Sequence, residues 1–138
     1  GNEMAKGYLI AHINIHDKEG FEKFRATSAA IATAANPLIQ LHPSGIQKAA
    51  EAYYAGVEKH VFNGAIPLKH AQLAALSASV AMRCEYCIPA HTALAKTAGA
   101  TDEEIKTAVA IAADVALNSS MLYGSQFNMT KFMQMFPQ

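Results

Sequence analysis

Pro89 stands two residues after the second of the chain's two cysteines, in Cys84-Glu85-Tyr86-Cys87-Ile88-Pro89-Ala90-His91. A proline ring breaks a helix interior but fits the first turn, where its missing N–H is no loss. The segment before it, residues 67–82, reads as helix, with Leu73, Leu76 and Val80 at helical spacing and small residues elsewhere. Arg83 ends that pattern. A new helix therefore has to start between Cys84 and Ile88. This one stretch fixes two helices, the break between them, and the placing of both thiols at or near a helix N-terminus.

That placing has chemical consequences. Free N–H groups and the helix dipole stabilise an anion at a helix start. Positions i and i+4 share a helix face, so Cys87 and His91 can meet, and Cys84 can reach Cys87 across one turn. An imidazole beside a thiol lowers its pKa or takes its proton. Partner thiol, N-terminal position and base together make a reactive thiolate. Two other readings use the same residues. Cysteines in an alanine-rich core can be small hydrophobes. Cys84, Cys87 and His91 also supply three zinc ligands, but a closed site needs a fourth, and no second C-x-x-C or H-x-x-x-H is present. A thioredoxin-like fold needs a strand before its C-x-x-C, and helix stands there instead.

The rest of the chain from residue 37 onward also reads as helical. Asn36-Pro37 and the Pro-broken connector "NPLIQLHPSG" precede a helix with Ile46, Ala49, Ala50, Tyr53, Val57 and Val61 on one face. Ser44 with Gln47 reads as a capping box, as does Thr101 with Glu104. "NGAIP" is a turn, and Gly99 a C-terminal cap. The helix after Thr101 is expected to turn Ile105, Ala108, Val109, Ala112 and Val115 inward. A last helix, rich in Met and Phe, is expected around 119–135. The opening differs: Leu9, Ala11, Ile13 and Ile15 alternate with Tyr8, Ile10, His12, Asn14 and His16 as a strand would, and Asp17 caps a helix carrying Phe21, Phe24, Ser28, Ile31 and Ala35. A lone strand cannot satisfy its own backbone, so it is expected to pair with a second subunit. The expected division is a strand-plus-helix extension over 1–36 and one mainly α-helical domain over 37–138.

With 138 residues the chain can bury one ordinary core. Its 11 basic and 11 acidic residues cancel, so no basic face argues for nucleic acid. A near-neutral chain with this much apolar surface is expected to self-associate. No apolar run is read as approaching a membrane span, and no leader pattern is read at the N-terminus, so the expected compartment is the cytoplasm and no membrane partner is expected. No cofactor motif is read, and no bound cofactor or metal is expected. His12 and His16 suit a solvated strand face, His60 a helix end and His70 a surface position; Met121, Met129, Met133, Met135, Phe127, Phe132 and Phe136 suit core packing, with a subunit interface as the alternative.

The stretch "AALSASVAMRCEYCIPAHTALAKTAGATDEEI" resembles the core of the alkylhydroperoxidase D-like / carboxymuconolactone decarboxylase family. The matching pieces are the small-residue helix 71–82, the Cys pair with His91, "A-x-x-AGAT" and "DEEI", and the resemblance spans residues 38–136. It implies an all-α bundle built as trimers or hexamers, with the site close to a subunit contact. The Cys pair points to the thiol-active branch, because the lactone-decarboxylase branch is not known for that dithiol. The resemblance assigns Cys87 as the peroxidatic thiol, Cys84 as the resolving thiol, and His91 as the base. Members usually carry a Glu twelve residues before the first Cys, where this chain has Gln72. A carboxylate relays a proton, whereas an amide only hydrogen-bonds. A member also has His between the cysteines, where this chain has Tyr86. Gln72, Tyr86 and Glu85 are the expected supporting residues, with Glu51 and Glu58 as further carboxylates.

The expected function is a thiol-dependent oxidoreductase acting on a hydroperoxide, or a disulfide reductase, turned over by a thiol reductant. The alternatives are a carboxymuconolactone decarboxylase-like enzyme and a non-catalytic metal-binding or assembly module.

Overall fold

The computed structural model of the chain describes residues 36–137. Every regular element among them is helical. The elements are α1 (Pro37–Gln40), α2 (Gln47–Val57), α3 (Leu68–Ala81), α4 (Cys87–Thr97), α5 (Asp102–Gly124) and α6 (Met129–Met133). A 3₁₀ turn (Ser44–Ile46) leads into α2, and a π turn (Glu58–Phe62) continues from it. The all-α expectation therefore holds. The expected strand and first helix, and with them His12, Asn14 and His16, lie outside the described residues.

Helix α3 is central, packing against α4 on one side and α5 on the other. Its alanines and serines let both neighbours come close, and the deepest side chains are Ala71, Gln72, Leu76 and Ser79. Two of these are polar and buried, so each needs a partner. The Ser79 hydroxyl donates to the Ala75 carbonyl at 2.6 Å. Gln72 meets His91, described below. Across the α3–α5 contact the Ser77 hydroxyl donates to the Ala108 carbonyl at 2.8 Å, and Lys69 Nζ stands 3.1 Å from Glu104 Oε2. Lys96 and Asp102, 3.2 Å apart, tie the end of α4 to the start of α5.

Three helices end in the same way. After α4, Gly99 takes a left-handed conformation (φ 99°), its N–H bonds Lys96 O, and Ala100 N–H bonds Ala95 O. This is a Schellman motif, the ending expected from Gly99. Helix α3 ends identically with Arg83 in the left-handed position (φ 55°): Arg83 N–H bonds Val80 O and Cys84 N–H bonds Ser79 O. Helix α5 repeats it with Gln126 (φ 53°).

Several expectations are corrected. Ser44 and Gln47 do not form a capping box: the Gln47 amide reaches the His42 carbonyl at 2.9 Å, because a 3₁₀ turn takes up the residues between. Thr101 Oγ1 does accept from Glu104 N–H at 3.1 Å, but the Glu104 carboxylate turns to Lys69 instead of closing the box. Val109 and Val115, expected inward, are 40 and 61 % exposed, and Tyr53, on the apolar face of α2, is 67 % exposed. Helices α2 and α5 have a neighbour on only part of their circumference, so a face that is apolar in sequence is not thereby covered. Helix α5 runs unbroken to Gly124, and the Met- and Phe-rich tail holds only the short α6. Helix α5 has 23 residues and contains an 18-residue window of mean hydropathy 1.3, long and apolar enough to span a membrane by length and composition. That differs from the expectation that no run qualifies. One such helix is weak evidence for a span, and only 11 % of that window is buried.

Candidate functional site

The site forms where α3 gives way to α4. The Schellman motif that stops α3 uses Cys84 N–H as its closing donor, which fixes the Cys84 backbone against the core helix. The Cys84 carbonyl then accepts from Ile88 N–H at 3.0 Å, which ties the turn before α4 to the first residues of that helix. Cys87 N–H donates to Cys84 Sγ at 3.1 Å. Cys84 Sγ thus accepts one of the free N–H groups at the start of α4, much as a capping side-chain oxygen does. Cys84 and Cys87 are joined as a disulfide, their Cα atoms 5.2 Å apart. Both are half-buried, so they lie near the surface and not in the core. Pro89 sits in the first turn of α4, as its geometry requires.

His91 comes one turn after Cys87 on the same helix. Its Nδ1 lies 2.8 Å from Gln72 Oε1 of α3. A carbonyl oxygen only accepts, so Nδ1 carries the proton and Nε2 keeps its lone pair. The Phe62 ring, delivered by the π turn, lies parallel to the imidazole, with centroids 5.9 Å apart and planes 7° apart. Burial holds the His91 pKa below its ordinary 6.5, which favours the neutral base.

Sequence reasoning placed Cys84, Cys87, His91 and Gln72 together, and the structure brings all four to one junction. Tyr86 and Glu85 stand apart from that group. They occupy the exposed turn between the cysteines, and Tyr86 is 67 % exposed. Among the described residues, His91 is hydrogen-bonded to Gln72 and to no carboxylate; Glu51 and Glu58 do not reach it. No three His, Cys, Asp or Glu side chains among the described residues gather as metal ligands would. Phe62 was not found by sequence reasoning. It lies 29 residues before His91 in a stretch that reads only as a helix end, and no spacing rule connects the two.

The chain is thus an all-α domain in which a central small-residue helix hands over to a helix carrying Cys-x-x-Cys-x-x-x-His. Residues 46–127, more than half of the chain, match the carboxymuconolactone decarboxylase family, and the chain belongs to that family, which includes enzymes. No individual curated protein and no solved structure matches it.

Proposed function

We propose that the chain is a thiol-dependent oxidoreductase that reduces hydroperoxides by cycling Cys84 and Cys87 between dithiol and disulfide. The observation that carries this reading is the Cys84–Cys87 bond at the start of the helix that presents His91 one turn later. In the reduced protein, His91 Nε2 is the acceptor for the Cys87 thiol proton, directly or through water. The thiolate attacks the distal oxygen of ROOH; the O–O bond breaks, ROH leaves with the proton, and Cys87 becomes a sulfenic acid. The Cys84 thiol attacks that sulfur, releasing water and forming the disulfide. Two equivalents of an external thiol then restore the dithiol and leave as their own disulfide.

A thiol reductant places this chemistry in the reducing cytoplasm. The exposed apolar faces of α2 and α5 support a homo-oligomer, and the family resemblance suggests a trimer or hexamer. Gln72 orients His91 but cannot pass a proton on, so turnover slower than with a carboxylate is part of the reading. Peroxide consumption with a dithiol donor tests it. Activity lost in both Cys84→Ser and Cys87→Ser is the expected result; no consumption by the reduced wild-type chain with any dithiol donor sinks it. A lactone decarboxylase would keep its activity in both variants.

One observation favours a second reading. The Cys87 N–H points at Cys84 Sγ and would stabilise negative charge there. In a disulfide reductase Cys84 would then be the attacking thiolate and Cys87 the resolving one. Limited alkylation of the reduced chain below pH 8.5, followed by peptide mass mapping, separates the two: modification first at Cys87 fits the peroxidase and first at Cys84 the reductase.

A further inference from the structure

The geometry points to Phe62 as the positioning residue of His91: its ring closes one face of the imidazole and holds it in line with Gln72. This deepens the proposed redox reading and rests on it for any consequence in catalysis. Three observations converge. The rings are nearly coplanar in orientation, with planes 7° apart and centroids 5.9 Å apart, an offset stack that fixes the ring plane. His91 has only two partners among the described residues: Gln72 from α3, on the ring edge, and Phe62, on the ring face. No ion pair or hydrogen bond joins the ring to a charged side chain among the described residues, so one hydrogen bond and one stack are its directional contacts.

The third observation is the backbone that delivers Phe62. Residues Glu58–Phe62 form a π turn at the end of α2. Asn63 secures it twice on the Glu58 carbonyl, with its backbone N–H at 3.2 Å and its side-chain amide at 2.8 Å. The wider π turn carries one extra residue relative to an α-helical path, and such turns occur frequently at functional sites. Here the extra residue sets the direction of Phe62, which reaches over α3 to the first turns of α4. Without the stack, a single hydrogen bond would leave the imidazole free to tip and to exchange tautomers with water. With it, the Nδ1–H form is held and Nε2 keeps its lone pair.

The test uses the oxidised full chain labelled with ¹⁵N-histidine, with His91→Gln to assign the signal. Nitrogen chemical shifts report which ring nitrogen carries the proton. The expected wild-type signature is predominantly Nδ1–H. Phe62→Ala and Phe62→Leu should each lower the Nδ1–H share about twofold or more, towards the mixture of a free imidazole. Phe62→Tyr, which restores a ring face, should keep the wild-type signature. Phe62→Leu keeps an apolar side chain and guards against a simple folding defect, monitored by circular dichroism. A purely structural Phe62 would lower the melting temperature in these variants without changing the tautomer. A folded Phe62→Leu with the wild-type tautomer overturns the inference. None of these signals requires activity, so an inactive wild type would sink the peroxidase reading alone.

Discussion

Gln72 Oε1 accepts a hydrogen bond from His91 Nδ1 at 2.8 Å, across the contact between the central helix and the helix that begins at the cysteines. Gln72 is 6 % exposed, so its amide cannot turn to bulk water, and His91 beside it is half-buried. Gln72→Leu leaves the His91 N–H without its partner in a half-buried setting. A loss of about 1–3 kcal/mol in urea unfolding is expected. Gln72→Glu does the reverse to the chemistry. A carboxylate at the same distance makes a charge-assisted bond and raises the His91 pKa, so dithiol-driven peroxide consumption near neutral pH should rise about tenfold. Steady-state assays of the two purified proteins side by side provide the comparison.

His91 also links stability to pH. Its pKa is below the ordinary 6.5 in the folded chain because burial disfavours the charged ring. The unfolded chain therefore takes up this proton first as pH falls. By linkage, the His91 contribution to stability is fully present above 6.5 and is lost as pH falls from there through the folded-state pKa. Urea unfolding between about pH 8 and about pH 5 should show a shallower acid decline in His91→Gln than in the wild type. Parallel curves for the two proteins would contradict the assignment.

Arg83 occupies the left-handed position of the α3 ending, with φ 55°. For a residue with a Cβ this conformation costs roughly 1–2 kcal/mol, part of which glycine's greater unfolded-state freedom takes back. Arg83→Gly is expected to stabilise the chain by about 0.5–1 kcal/mol. Arg83→Val, β-branched at a left-handed site, should destabilise it by about 1 kcal/mol or more. Thermal melts of the oxidised proteins decide both.

The Cys84–Cys87 bond closes a very short loop, with a sequence separation of 3. Chain-entropy arguments limit its stabilisation to about 2 kcal/mol. The Cys84 backbone is held by Ser79 O and Ile88 N–H whether or not the sulfurs are joined. Reduction should therefore lower stability by no more than that amount and leave the far-ultraviolet circular dichroism unchanged. A large loss of helix on reduction would mean that the sulfurs, and not the backbone, hold the junction.

These details show what the sequence made legible. Pro89, Gly99 and the Thr101 cap are residues whose chemistry admits few backbone conformations, and each element boundary they mark is where it was expected. Arg83 and Gln126 form the same ending without glycine, so nothing in residue type announces it. Residue type therefore predicts one helix over 119–135, where the structure ends α5 at Gly124. The placing of His91 one turn after Cys87 follows from a four-residue spacing on one helix. Gln72 needed the family resemblance, because its link to His91 crosses between helices. Phe62 was hidden for a different reason: the π turn changes the helical repeat, so periodicity carried forward from α2 points that ring the wrong way.

That change of repeat bears on how such a site could arise or vanish. Each residue advances an α-helix by about 100°, so removing a single codon between positions 58 and 61 would swing residue 62 by about that angle. The cysteines, the histidine and the amide would all remain, yet the aromatic wall would face elsewhere. The sidedness of this histidine is therefore a matter of chain length as much as of residue identity, and an insertion or deletion can switch it where no substitution scan would look.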